Sequence, residues 1–465
     1  MKVLVAIASY GTNNDQYLAE LIKSYRSMPY AIDIVVLSNI AKQVPGNVEV
    51  LVGLPTKNPW SLPFAHKKLF LDRRHEYDLF IYSEDDTPLS EQNIEAFCRV
   101  TRILPKDQVA GFLRFEARDG KRYFCDVHGR YHWDTKSVET RGEYTFAFFT
   151  NEHAACYVLT KEQLHRAIES GGFLVPPHEE KYDLLCAAAT DPYTQCGFKK
   201  MICISHLQDF VVPHLPNKYI GKFGLEDDEF YAQTEALLRT NHLNGCRAKL
   251  FETQTRLPGS RYSKLYYEAA SEDVLALIPR EAKTILSIGC GWGALEGALV
   301  QKGKRVVAVP LDPIIGVNAK ARGVEVVCAD RSTVPQKLSH ERFDCLVLSN
   351  VLHLVPDPEA LLSSFCSLLD VSGTAIAVVP NFSRVPVLWR RTLRHGTFRN
   401  LADYRKSGVQ VTSRRRLRNW FEGAGMRVEH VIEVVPPHLE RARRATFGLA
   451  APAIATDFIA LAART

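Results

Sequence analysis

The sequence contains no apolar run long enough to cross a bilayer, no internal repeat, no low-complexity tract and no Cys-x-x-Cys pair. These absences exclude a helical membrane protein, a solenoid and a zinc site built on paired thiols. The 11 cysteines are lone residues, which fits buried thiols in a reducing cytoplasm better than a disulfide frame. Residues 1–9 are too short for a signal-peptide core with its cleavage site and read as a first buried strand, so a cytoplasmic location is expected. With 46% hydrophobic and 24% charged residues the composition is that of an ordinary globular chain, and 465 residues leave room for two or three full cores.

Acidic residues fall behind basic ones only in the second half. The net +6 divides into about −3 up to Ser260 and about +9 beyond it. The excess follows Ser383, at Arg390-Arg391, Arg394, Arg399, Arg405-Lys406, Arg414-Arg415-Arg416, Arg418 and residues 441–444. Such a stretch is a solvated face, a seat for a phosphate-bearing acceptor, or a peripheral contact with an anionic membrane at its inner face. Nucleic acid is not expected, because no repeated aromatic stacking pattern interleaves the arginines.

The stretch that organises the second half is Ile285-Leu286-Ser287-Ile288-Gly289-Cys290-Gly291-Trp292-Gly293. An apolar strand enters three alternating glycines, and residues 294–300 read as the helix that follows. The helix N-terminus offers free N–H groups, and glycine lets backbone approach a ligand, so the pattern is a nucleotide cradle. A second strand, residues 305–309, leads through Pro310 to Asp312, whose carboxylate could reach ribose hydroxyls. Further strands follow at 324–328, ending in Asp330, at 343–349, ending in Asn350, and at 374–379. Residues 266–278 read as a helix before the cradle, and residues 253–263, with Pro258-Gly259-Ser260, as the domain junction.

In this order and spacing residues 264–465 resemble a class I S-adenosylmethionine-dependent methyltransferase. The resemblance implies a Rossmann-like seven-stranded domain with Gly289, Gly291 and Gly293 under the methionine and ribose of the cofactor. It places Asp330 at the adenine and residues 350–353 beside the sulfonium. Two departures stand out: Ser287 and Pro310 occupy positions where the family usually carries acids, with Asp312 as a substitute two residues late. His353 reads either as a base for an acceptor hydroxyl or as a packing histidine. Pro380-Asn381-Phe382-Ser383 and residues 412–425 resemble later segments of methyltransferases of polysaccharide or lipid biosynthesis.

The first half alternates strands (3–8, 32–37, 48–52) with a helix at 16–27 whose Leu18, Leu21, Ile22 and Tyr25 share a face, the pattern of a parallel α/β sheet. The buried strand 77–82 then empties into Ser83-Glu84-Asp85-Asp86-Thr87-Pro88. Consecutive carboxylates at a strand's carboxyl end repel one another unless a cation or hydrogen-bond donors hold them. Mg²⁺ or Mn²⁺ with the phosphates of a nucleotide sugar would suit them, and a turn with Asp86 or Ser90 capping the next helix is the structural alternative.

Here residues 1–250 resemble a GT-A glycosyltransferase. Its Asp-x-Asp signature appears as Glu84-x-Asp86, which implies Asp86 as the metal ligand and Glu84 or Asp85 at the ribose or a metal-bound water. The resemblance also puts Ser9 and Tyr10 by the nucleotide base and His214 at the metal or diphosphate. An inverting enzyme needs a carboxylate base, for which Glu180 or Asp183 is the candidate, although either could simply open and cap the helix 184–189.

The expectation is therefore an α/β chain of two domains, residues 1–255 GT-A-like and 256–465 methyltransferase. It would be a bifunctional enzyme that transfers a sugar from a nucleotide-sugar donor to a glycan or glycolipid and methylates that glycan, on oxygen. Alternatives are a methyltransferase with a non-catalytic carbohydrate-recognition domain, a glycosyltransferase with a degenerate second domain, and a nucleotidyltransferase.

Overall fold

Val3, Leu4, Val5, Ala6 and Ile7 lie wholly out of solvent, because the strand they form sits mid-sheet with both faces covered, the setting that selects unbroken apolar runs. Each fully buried Val, Leu or Ile there contributes about 1.5–3 kcal/mol. The computed structural model describes residues 1–240, 251–329, 332–392 and 400–464. The chain divides into two compact units, Met1–Leu243 and Asn244–Thr465.

In the first unit, β1 (Lys2–Ser9), β2 (Ala31–Ser38), β3 (Glu49–Val52), β4 (Leu79–Glu84) and β5 (Cys156–Thr160) make one sheet in the order β5-β4-β1-β2-β3. All pairs are parallel except β5 with β4. The helix Asp15–Arg26 buries the expected face of Leu18, Leu21, Ile22 and Tyr25. Register sets Ala8 opposite Glu84, so the turn after β1 meets the acidic run after β4. Two four-stranded sheets complete the unit, one of them joining Leu113–Arg118 to Val211–Pro213 in parallel and to Lys121–Phe124 antiparallel.

In the second unit, β6 (Thr284–Cys290), β7 (Arg305–Pro310), β8 (Glu325–Val326), β9 (Phe343–Ser349), β10 (Leu369–Pro380), β11 (Met426–Val434) and β12 (Asp457–Arg464) form a seven-stranded sheet. Their order is β8-β7-β6-β9-β10-β12-β11, with only β12 antiparallel to its neighbours. The strand order reverses between β6 and β9, the switch point where open α/β sheets take ligands. The strand expected at 324–328 is only two residues long.

The helix expected over 266–278 is not there. Helix forms only at Glu272–Leu277, capped by Ser271. Upstream, the Tyr266 carbonyl accepts from Trp292 N–H (2.9 Å) and the Glu268 carbonyl from Trp292 Nε1–H (2.7 Å). Those carbonyls serve the glycine turn and cannot also close helical turns. Residues 251–264 pack with this unit: Phe251 is in its core and Lys264 N–H donates to the Thr253 carbonyl at 2.9 Å. No helix among the described residues is long and apolar enough to cross a membrane.

Candidate functional site

In the first unit the turn after β1 and the turn after β4 face a cavity of about 270 Å³, lined among others by Tyr10, Asn14, Trp60, Glu84, Asp86 and Lys218. The three carboxylates are held by different partners. Asp85 accepts from Ser9 Oγ–H (2.6 Å) and Asn14 Nδ2–H (2.7 Å). Asp86 Oδ2 accepts from Asn14 (3.3 Å) and faces His214 Nε2 at 3.6 Å and Lys218 Nζ at 3.8 Å. Glu84 buries its Oε1 without a hydrogen-bond partner among the described residues. Burial and the neighbouring Asp86 charge push Glu84 upward, and burial raises Asp85 to about 6. Asp86 moves down, because His214, Lys218 and Arg114 outweigh the burial that would raise it.

Behind them lies a buried charged layer. His214 Nδ1–H donates to Glu116 Oε1 at 2.6 Å, while Glu116 Oε2 accepts the Tyr219 and Ile220 N–H groups at 2.9 and 2.8 Å. The Glu116 bond orients the ring and turns Nε2 toward Asp86. Arg114 donates to Asp126 through Nε and Nη2.

The structure thus brings Ser9, Glu84, Asp85, Asp86 and His214 together with Tyr10 at the rim. It does not show the expected divalent-ion centre: among the described residues no group of three His, Cys, Asp or Glu side chains that could hold a metal converges. The donors already on Asp85 and Asp86 explain how that acidic pair is stabilised. Asp183 caps the helix Leu184–Thr194 by accepting Cys186 N–H at 2.9 Å, and Glu180 accepts from Gln195 Nε2–H at 3.0 Å. From that helix it is Leu185 that lines the cavity. Glu116 and Arg114 escaped the sequence reading, yet Arg114-Phe115-Glu116 carried a signal. Two charges at strand spacing within an apolar run face one side and must be paired there.

In the second unit the glycine turn closes on its own protein. A Cβ at Gly291 would lie 2.2 Å from the Tyr266 carbonyl oxygen. Gly293 adopts φ +86° and passes so close to Ala319 Cα that a Cβ would come within 2.6 Å. Gly289 faces Val351 in the same way. The three glycines therefore let strand, helix and the 264–271 segment converge, a packing demand beside the expected ligand demand. At Ser287, where an acid was missing, Oγ–H donates to Glu296 Oε1 at 2.6 Å with both side chains buried. The carboxylate comes from the helix Ala294–Gln301 instead of the strand.

Asp312 is buried and caps the helix Pro313–Ala321, accepting Ile314 and Ile315 N–H at 2.9 Å each. Asn350 takes φ +53° and donates from Nδ2 to Glu268 Oε1 at 2.7 Å. His353 is buried, donates Nε2–H to the Tyr262 carbonyl (2.8 Å), and is lowered by burial to about 4, so its ring is neutral near pH 7. Asp330 lies outside the described residues. Gly289, Gly291, Gly293, Glu296, Lys264 and Glu268 line one crevice beyond β6. The last three were not found in the sequence, since no local motif marks them.

A family model described as "Methyltransferase domain" matches residues 262–431. The second unit carries a methyltransferase domain. Curated relatives align with it. A ubiquinone biosynthesis O-methyltransferase from Xylella fastidiosa is 31% identical over 101 residues, 21% of this chain and 41% of the relative. One from Xanthomonas axonopodis pv. citri is 26% identical over 190 residues, 37% of this chain and 74% of the relative. This chain spans less than half the length of the first of these, 41%. A solved S-adenosylmethionine-dependent methyltransferase from Mesorhizobium loti is 18% identical, covering 41% of this chain and 96% of that one at a TM-score of 0.31. The methyltransferase domain thus contains the glycine turn, Ser287, Asp312 and His353.

Proposed function

We propose that the second unit transfers a methyl group from S-adenosylmethionine to an oxygen acceptor. The observation that carries this reading is the crevice at the strand-order reversal, inside the segment that matches the methyltransferase family. The residues there fit the cofactor. The helix Ala294–Gln301 opens at Gly293 without a side-chain cap, leaving N–H groups for an anionic group. Glu268 offers its carboxylate to a cationic one.

Bound there, S-adenosylmethionine supplies an electrophilic methyl on a cationic sulfur. The chain's own part is positioning and water exclusion, with neutral His353 as the group that accepts the acceptor's proton at Nδ1, which has no hydrogen-bond partner among the described residues. Calorimetric titration of the whole chain tests the reading: S-adenosylmethionine and S-adenosylhomocysteine should both bind, and absence of binding by either overturns it.

A second reading applies to the first unit, favoured by the cavity where Glu84, Asp85, Asp86, His214 and Lys218 meet. It is a nucleotide-sugar site, so that the chain both extends and O-methylates a glycan or glycolipid. A thermal-shift and hydrolysis screen of nucleotide sugars, with and without Mn²⁺ or Mg²⁺, checks it. Stabilisation by one donor supports the reading, its loss in Asp86→Ala with Mn²⁺ or Mg²⁺ present ties it to a metal-bound diphosphate, and indifference to every donor removes it.

A further inference from the structure

The segment 264–271 lies across the glycine turn with its backbone pinned at three points. Lys264 N–H is bonded to Thr253, the Tyr266 carbonyl to Trp292 N–H, and the Glu268 carbonyl to Trp292 Nε1–H. Its two charged side chains lie in the crevice and pair with each other: Lys264 Nζ donates to Glu268 Oε2. Glu268 also accepts from Asn350 Nδ2 (2.7 Å) and Ser349 Oγ (3.4 Å), which close off β9. Lys264 is 2% exposed at its side chain and Glu268 28%.

Burying a charged pair is costly, and three hydrogen bonds to backbone groups already pin the segment beside it. The pair also fills the site. The crevice has room for about 30 Å³, whereas a nucleoside-sized ligand occupies a pocket of roughly 300 Å³ or more. The two tips must part before a cofactor can enter. Once parted, they leave an ammonium and a carboxylate facing one narrow space, the mirror of a free amino acid's carboxylate and ammonium.

We propose that Lys264 and Glu268 form a clamp for the amino-acid end of the cofactor, Lys264 taking its carboxylate and Glu268 its ammonium, in exchange for the bond the two make with each other. This rests on reading the second unit as an S-adenosylmethionine site. The exchange keeps every charge partnered in both states, so neither state leaves a bare buried ion. It also assigns the acid lost at Ser287: Glu296 holds Ser287 inside the turn, and Glu268 meets the ligand.

Two ligands separate this role from a structural one. S-adenosylhomocysteine carries the amino-acid end; 5′-methylthioadenosine keeps the nucleoside and thioether and lacks it. Calorimetry on the full chain, Lys264→Met and Glu268→Gln should show S-adenosylhomocysteine affinity falling about tenfold or more in each variant. Methylthioadenosine affinity should stay unchanged. Lys264→Arg and Glu268→Asp, which keep the charges, should restore part of the loss. Equal losses for both ligands, or none for S-adenosylhomocysteine, overturn the clamp. If the wild-type chain binds methylthioadenosine but not S-adenosylhomocysteine, the clamp fails while a nucleoside site stands. If it binds neither, the methyltransferase reading fails and the clamp with it.

Discussion

Ser287 Oγ–H donates to Glu296 Oε1 at 2.6 Å inside the glycine turn, so a carboxylate that the family usually places on the strand arrives from the following helix. Only one acid fits there. Ser287→Asp puts two carboxylates in one buried space and should destabilise the second unit by about 1–3 kcal/mol or force one of them to hold a proton. Adding Glu296→Gln should recover most of the loss. Urea unfolding of wild type and the two variants measures it, and a double variant no better than Ser287→Asp alone refutes the exchange.

Asp312 accepts two N–H groups at the start of the helix Pro313–Ala321 and is buried. Its removal in Asp312→Ala should cost about 1–2 kcal/mol of stability. Asp312→Asn keeps an acceptor oxygen and should unfold close to wild type with unchanged affinity for S-adenosylhomocysteine. A ribose-binding Asp312 would instead show an intact fold and weakened affinity in Asp312→Asn.

The parallel strands of the two large sheets were legible in the sequence because buried strands are long apolar runs and glycine turns punctuate them, whereas β5, β11 and β12, which run antiparallel to a neighbour, were not read. The helix expected over 266–278 was not, since its apolar spacing says nothing of the two carbonyls that Trp292 claims from a distance. Asp86 and His214 could be paired on paper only through a family likeness. The partner that aims the histidine, Glu116, lies 98 residues from it in sequence. Lys264 and Glu268 sit four apart, a spacing that reads as an exposed helical pair until the strand order places a crevice beside them.

Buried acids give the first unit a pH signature. Asp85 rises from 3.8 to about 6, chiefly through burial, and Glu84 is raised for the same reason with the Asp86 charge adding to it. The fold holds protons that the unfolded chain has released, so this contribution is complete below about pH 3.8 and is lost as pH rises through about 6. Each such group gives a slope of at most about 1.4 kcal/mol per pH unit. Urea unfolding followed by a probe in the first unit should show a shallower decline between pH 4 and 7 in Asp85→Asn than in wild type. Identical slopes would remove Asp85 from the account.

Lys218 Nζ stands 3.8 Å from Asp86 Oδ2 at the rim of the first cavity, with its side chain about half exposed (53%). A cation on a long stem next to an acidic floor can turn to a diphosphate that enters above it. Lys218→Met should therefore weaken nucleoside diphosphate binding by about tenfold, the effect of one lost charge-assisted contact, and flatten its salt dependence. Asp86→Asn, which frees the lysine, should not weaken binding in the absence of divalent ions. Titrations in EDTA and in Mn²⁺ distinguish the two carriers of positive charge. Binding that needs Mn²⁺ and ignores Lys218→Met would assign the diphosphate to a metal held by Asp86, and binding that survives EDTA but not Lys218→Met would assign it to the lysine.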